Sequence, residues 1–259
     1  MKSYSQVTNR YMKENKKRTA LTIVGITLAT VLIFAVGTFL LSFRDSYISS
    51  IRADSDYEFQ VRDINKEQVD KVVNNAEIKD SSISNQGEIY SLKDSVKTVN
   101  LSSGNKDYFE KIKTKEILEG REPEKTGEVI IDSSEKALLK ANLGDEYTLI
   151  GSKGEIKAKI VGVYKAASYS SEGPITFTTY LENSGINADS NYTVYVNLNS
   201  EKDKQKIMDK VISNANIEVK DGKKIENKEL LYLTGNGSGS SITGALKNMA
   251  IFVIAIIMV

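Results

Sequence analysis

From Ala20 to Phe43 the chain runs for 24 residues without a charge, an amide side chain or a proline. At 1.5 Å per residue a helix of that length measures about 36 Å, enough to cross the ~30 Å hydrocarbon core of a bilayer with some tilt. The pattern predicts a transmembrane helix, with Gly25 and Ala29 four apart on one face where another helix could approach. A cleaved secretory signal has the same basic start, but its apolar region is about 7–15 residues long and closes on a small-x-small site. Here the run is longer and closes on Phe39-Leu40-Leu41-Ser42-Phe43, which favours a retained span. Lys2, Arg10, Lys13, Lys16, Lys17 and Arg18 precede it, whereas Arg44 and Arg52, offset by Asp45, follow it. Because basic residues beside a span stay on the cytoplasmic side, the N-terminus is expected inside and the region from Arg44 outside. A second apolar run, Met249 to Val259, makes about 16 Å of helix. It is expected to be the start of a second transmembrane helix in a sequence cut inside it.

Between the two runs the periodicity changes from helical to alternating. Tyr4, Val7 and Tyr11 suggest a short amphipathic helix or a basic tail on the inner surface. After the span, Tyr47, Ile48 and Ile51 keep helical spacing, a stalk that continues the membrane helix. Tyr57, Phe59 and Val61 alternate with Glu58, Gln60 and Arg62 as a half-buried strand, and Asn65 with Gln68 forms a capping box opening a helix to about Asn74. Ile78 to Ile83 and the region from Glu88 to Leu101 supply further strands. The arrangement repeats near the far end: strand Tyr192 to Val196, a helix capped by Ser200 and running to about Ser213, and a returning strand from Ile217 to Val219. Asp70 to Ile78 aligns without gaps on Asp209 to Ile217 with six of nine residues identical. Two β-α-β halves sharing one helix-covered sheet are therefore expected.

The stretch separating the halves has a different texture. Gly120-Arg121-Glu122-Pro123 reads as a turn, Glu128 to Ile131 as a short strand, and Ser133 or Ser134 as the start of a helix that ends near Leu143 at a left-handed Gly144-Asp145 stop. Gly151-Ser152-Lys153-Gly154 joins two strands as a hairpin, and Ile175, Phe177 and Thr179 mark another strand after a Ser- and Gly-rich loop from Ser168 to Gly173. The fold class is an α+β extracellular domain, two β-α-β lobes with an inserted β-rich subdomain, tethered by membrane helices. The expected divisions are a cytoplasmic segment 1–19, a span 20–43, an outer domain 44–234, a linker 235–244 containing Gly235 to Ser241, and the second span from 245. The lobes are placed at about 54–107 and 188–225 and the insert at about 108–187. A hinge between domain and helices is the functional reading of the linker.

Charge and missing residue types narrow the chemistry. Lys plus Arg number 35 against 34 Asp plus Glu, a net charge of +1 that argues against nucleic acid as a partner. Without Cys or His, zinc sites of those ligands and Ser-His-Asp or Cys-His catalysis are excluded. Ser133-Ser134-Glu135-Lys136 matches S-x-x-K, but the S-D-N and K-T-G partners of that motif are absent and a helix start explains the residues. No G-x-x-x-x-G-K-[ST] loop is present, and Asp54-Ser55-Asp56 is too short for a calcium site. The chain is read as non-catalytic, with no cofactor and no metal.

In order and spacing these features resemble the FtsX/MacB-type permeases of ATP-binding-cassette systems. The matching residues are Asn15 to Ile26 at the entry to the span, Leu118-Glu119-Gly120-Arg121-Glu122-Pro123 followed by Gly127 to Ile131, Leu143-Gly144-Asp145, and Lys159 to Tyr164 with Gly162. The resemblance implies a membrane permease subunit with its main domain outside the cell membrane, a cytosolic ABC ATPase as partner, and a second permease module or homodimer. ATP hydrolysis on the partner would drive export, or mechanical action at the outer face, on a peptide, lipoprotein or antibiotic. Gly120, Arg121, Pro123, Gly144, Asp145 and Gly162 are the family-motif residues and read as architectural, with substrate contact by Arg121 as the sharper alternative. The rival for the whole chain is the ligand-sensing half of a two-span receptor.

Overall fold

A computed structural model describes residues 10–11, 13–113, 116–152, 154–165, 175–183, 191–218 and 222–236. The apolar run lies within one helix, α1 (Lys16–Asp54), whose 39 residues correspond to about 58 Å. No residue of α1 is buried; Leu21, Leu32, Phe34 and Phe39 are exposed on different sides of the helix. An all-round apolar surface of this kind suits lipid rather than water. The hydroxyls of Thr22, Thr27, Thr30 and Thr38 are each satisfied by the carbonyl four residues earlier, at 2.7–3.0 Å, so they add little polar cost. Ser49 to Asp54, the end of α1, belongs to the compact unit Ser49–Ser241.

Three elements of that unit form one half and three the other. The first half comprises β1 (Phe59–Ile64), α2 (Lys66–Val73) and β2 (Ile78–Leu92); the second comprises β9 (Tyr192–Leu198), α5 (Lys204–Asn214) and β10 (Lys224–Glu226), followed by α6 (Lys228–Leu233). They are interleaved: strand order runs β10-β1-β9-β2, with β1 antiparallel to both β10 and β9, and β9 antiparallel to β2. Each helix therefore joins parallel strands that enclose a strand of the other half, the split β-α-β plait. The aligned repeat falls at the same place in both halves, and it puts Val72 and Val211 in one core with Phe59, Val194, Val196 and Met208. The copies also touch, Gln68 Nε2 donating to Asn216 O at 3.0 Å.

The insert closes on itself. Its ring takes in β3 (Thr98–Gly104), which with the short helix α3 (Lys106–Tyr108) falls in the range expected for the first lobe; after a π-turn over Phe109–Lys113 come β4 (Ile117–Gly120), β5 (Glu128–Asp132), α4 (Ser133–Leu139), β6 (Glu146–Gly151), β7 (Gly154–Tyr164) and β8 (Ile175–Tyr180). Pairing proceeds β2-β3-β8-β5-β7-β6 and returns from β6 to β2 through Ser91↔Ile150 and Leu92↔Leu149. That ring is a six-stranded barrel, filled by Val99, Leu101, Ile131, Leu149, Ile160 and Phe177. β2 serves both bodies: its first half pairs with β9 and its second with β3 and β6, across a bulge between Gln86 and Ile89. A third core of Tyr108, Phe109, Ile130 and Tyr164 covers the sheet face opposite α2 and α5, since Tyr195 packs there while its neighbours Val194 and Val196 face the helices.

Local signals placed some elements well and others poorly. Asn65 and Gln68 do form a reciprocal capping box, at 2.9 and 3.1 Å. Ser200 does not cap α5; its hydroxyl bonds to Lys202, and Asp203 holds the cap position at φ 54° without a side-chain cap bond. The cap of α4 is Asp132, boxed with Glu135, and α4 stops at a left-handed Lys140, well before Gly144. Ile217 is not in a strand, and the returning strand is β10 instead. β1 is covered on both faces, so Glu58 and Gln60 are buried beside Phe59 and Val61. The inner-surface helix through Tyr4 and Val7, the Ser168–Gly173 loop, most of the Gly235–Ser241 linker and the second span lie outside the described residues. Because an L residue in the left-handed region carries strain that glycine avoids, Lys140→Gly is expected to raise stability by about 0.5–1 kcal/mol in urea unfolding.

Candidate functional site

The family-motif residues converge on β7. Gly120 ends β4 at φ 74°, where a Cβ would lie 2.2 Å from Val161 O. Across the pair, a Cβ on Gly162 would lie 2.2 Å from Arg121 O. The two glycines let β4 and β7 approach until Arg121 N donates to Val161 O at 3.0 Å. Arg121 then turns its guanidinium onto Glu128 in two bonds of 2.8 and 2.7 Å. Glu128 Oε2 also accepts the N–H groups of Glu124 and Lys125, at 2.9 and 3.2 Å. The turn containing the buried Pro123 is thus wound around one carboxylate. Glu122 accepts a hydrogen bond from the hydroxyl of Tyr180, whose phenol is raised above its usual pKa by burial and by that carboxylate. Two residues back along β7, Ile160 O accepts from Gly144 N at 2.8 Å and Ile160 N donates to Asp145 O at 3.0 Å. The Asp145 carboxylate accepts from Asn142 N at 2.8 Å.

The Arg121 fork, followed by the backbone donors, lowers the Glu128 pKa from 4.5 to about 2. A depressed carboxylate contributes stability that is complete above its unfolded pKa and is lost as pH falls through the folded one. The contribution of Glu128 is expected to fade between about pH 4.5 and pH 2. Arg121→Ala should move the Glu128 side-chain carbon titration upward toward the ordinary glutamate range, measured by NMR. A midpoint that stays near 2 would assign the shift to the backbone donors instead.

The S-x-x-K residues are engaged elsewhere. Ser133 is the first residue of α4, directly after its cap Asp132, and Lys136 Nζ bonds both oxygens of Glu119 at 2.6 and 2.7 Å. Lys136 reaches a carboxylate on β4 and Ser133 opens α4, which is an architectural use of both.

A second site lies where α1 enters the domain. Glu58 and Lys204 are 2% and 3% exposed and pair at 2.5 Å. The other Glu58 oxygen accepts Leu198 N at 3.1 Å. Arg52, on the last turn of α1, bonds Asp56 at 2.6 Å and approaches Glu58 at 3.5 Å. The buried Asn197 amide donates to Asp56 O at 3.2 Å and to Asp80 at 3.1 Å, separating two carboxylates. Lys111 of the π-turn neutralises Asp80 at 3.3 Å, and its carbonyl accepts Asp56 N. A chain of paired charges, bridged between two carboxylates by the Asn197 amide, therefore runs from α5 through α1 and β2 to the π-turn.

Periodicity alone missed this cluster. It assigned Glu58 to a solvated face because polar residues alternate with apolar ones there. The usable signal was Arg52 and Asp56, opposite charges four apart at the end of a stalk helix.

No curated protein matches the chain. Among solved structures, the periplasmic region of MacB from Actinobacillus actinomycetemcomitans is similar at 14% identity and TM-score 0.47, over 73% of this chain and 97% of that one. The extracellular domain of the noncanonic ABC-type transporter YknZ from Gram-positive bacteria is similar at 13% identity and TM-score 0.44, over 64% and 98%. The sequence profile of the MacB-like periplasmic core domain matches residues 19–214, taking in most of α1, the first half of the plait, the barrel and the second half through α5. The chain belongs to the family of the MacB-like periplasmic core domain, a domain of ABC-transporter permeases.

Proposed function

We propose that the chain is the membrane-anchored outer-domain part of an FtsX/MacB-type permease, through which ATP hydrolysis on a cytosolic ABC ATPase produces export or mechanical action at the outer face. Residues 20–43 are the span, with the N-terminus inside, the domain of 44–234 outside, and 235–244 the linker to a second span. The observation that carries this reading is α1 itself, which passes from its apolar run to Arg52 as one helix without a proline. A hydrogen-bonded helix resists axial strain, so a shift imposed on the inner end arrives at the outer end with little loss. At that end α1 meets paired charges in the domain instead of a flexible linker. Two such modules would act together, as a homodimer or with a second permease. The motif residues from Gly120 to Gly162 would act as architecture, holding the barrel rim closed.

Purification of the protein encoded by the complete gene tests the reading. A cytosolic ABC ATPase should co-purify in detergent, with hydrolysis that changes when the permease is present. Recovery without any ATPase, together with a kinase-like region encoded downstream, would replace it with the receptor.

A further inference from the structure

We infer that Arg52 is a latch through which a displacement of α1 is passed at once to both covering layers of the plait. This rests on the permease reading above and names the residues that would carry its motion. The geometry points to Arg52 because its guanidinium starts two branches. One goes through Glu58 to Lys204 at the first residue of α5, beneath one face of the sheet. The other goes through Asp56 and Asn197 to Asp80 and then to Lys111 in the π-turn that covers the opposite face.

Two departures from ordinary helix chemistry mark the first branch. Lys204 stands at the N-terminal end of α5, where the helix dipole disfavours a cation, yet it is buried. Asp203 before it is left-handed and makes no cap bond. Local rules broken at one place, with the charge held by a single buried partner, identify a position set by something other than helix stability. On the second branch, Asn197 has one amide group serving acceptors on both Asp56 and Asp80, while its Oδ1 has no partner among the described residues. An amide shared in this way exchanges acceptors readily when either carboxylate shifts.

Arg52 is about one-third exposed, so its replacement leaves the cores intact. The experiment uses the complete permease with its ATPase in nanodiscs. Spin labels are attached at Lys106→Cys and Lys206→Cys, exposed positions on α3 and α5, in a complex whose other cysteines, wherever present, are replaced by serine. The distance between them is measured by pulsed electron resonance without nucleotide and with ATP trapped. The expected result is a nucleotide-dependent shift in the wild-type background that is lost in Arg52→Gln, partly retained in Arg52→Lys, and lost again in Asp56→Asn. A full shift in Arg52→Gln overturns the latch while leaving the permease reading intact. A hydrolysing wild-type complex with no shift also overturns it, since the two layers then do not move apart. Failure of any ATPase to associate overturns the permease reading and the latch with it.

Discussion

Lys204→Met is expected to lower the unfolding free energy of the unit Ser49–Ser241 by about 3–5 kcal/mol, the cost of leaving one member of a buried ion pair without its partner. Glu58 is 2% exposed and its oxygens are committed to Lys204 at 2.5 Å and Leu198 N at 3.1 Å. Without the cation, the carboxylate keeps that one backbone donor and Arg52 at 3.5 Å. The Arg52 charge offsets part of the loss, which places the effect toward the lower end of the range. In a domain of this size such a loss corresponds to about 6–20 °C in Tm. Glu58→Gln combined with Lys204→Met should recover most of it, because the pair's desolvation is removed with its attraction. Circular dichroism melts and urea unfolding of the detergent-solubilised protein measure both; a single variant within about 1 kcal/mol of wild type would mean the pair is hydrated rather than buried.

Gly162→Ala is expected to be the other large effect, about 3 kcal/mol or more, at or above the upper end of ordinary overpacking. The added methyl would meet Arg121 O at 2.2 Å and Ile130 Cγ2 at 3.0 Å. The first obstacle is backbone within the β4–β7 ladder, so relief requires the strands to part. Parting removes the Arg121 N to Val161 O bond and tilts Arg121 away from Glu128. The substitution should therefore raise the Glu128 pKa from about 2 as well as lower Tm. Gly144→Ala is the internal comparison. It has open space around its Cβ but a φ of 90°, so it should cost only the ~1–2 kcal/mol of left-handed strain and leave Glu128 unchanged. Equal losses at the two positions would make the β4–β7 approach incidental.

How far the site could be read beforehand differs between its two parts. The motif glycines stood out in sequence because turns and close strand approaches require them, and Arg121 stood beside one. Its partner Glu128, seven residues on, carried no pattern linking the two. The junction was hidden more completely. Glu58 meets Lys204 across 146 residues, and Asn197 meets Asp80 across 117. Nothing within a helical turn or a strand period of any of them records the pairing.

By itself the sequence determined what depends on neighbours a few residues apart. Length and apolarity made α1 a helix long and apolar enough to cross a membrane, with Asn65 and Gln68 opening α2 through bonds three residues apart. Gly151 and Gly154 closed the β6–β7 hairpin on itself. The near-identity of Asp70–Ile78 and Asp209–Ile217 announced two related halves. Tertiary structure decided how the halves interleave, that the insert closes into a barrel through Ser91 and Leu92 on β6, and that Glu58 and Lys204 go inside. Strand pairing and burial depend on which surface happens to be opposite. A polar residue in an alternating strand reads as solvated until a second layer, here the π-turn and the end of α1, arrives to cover it.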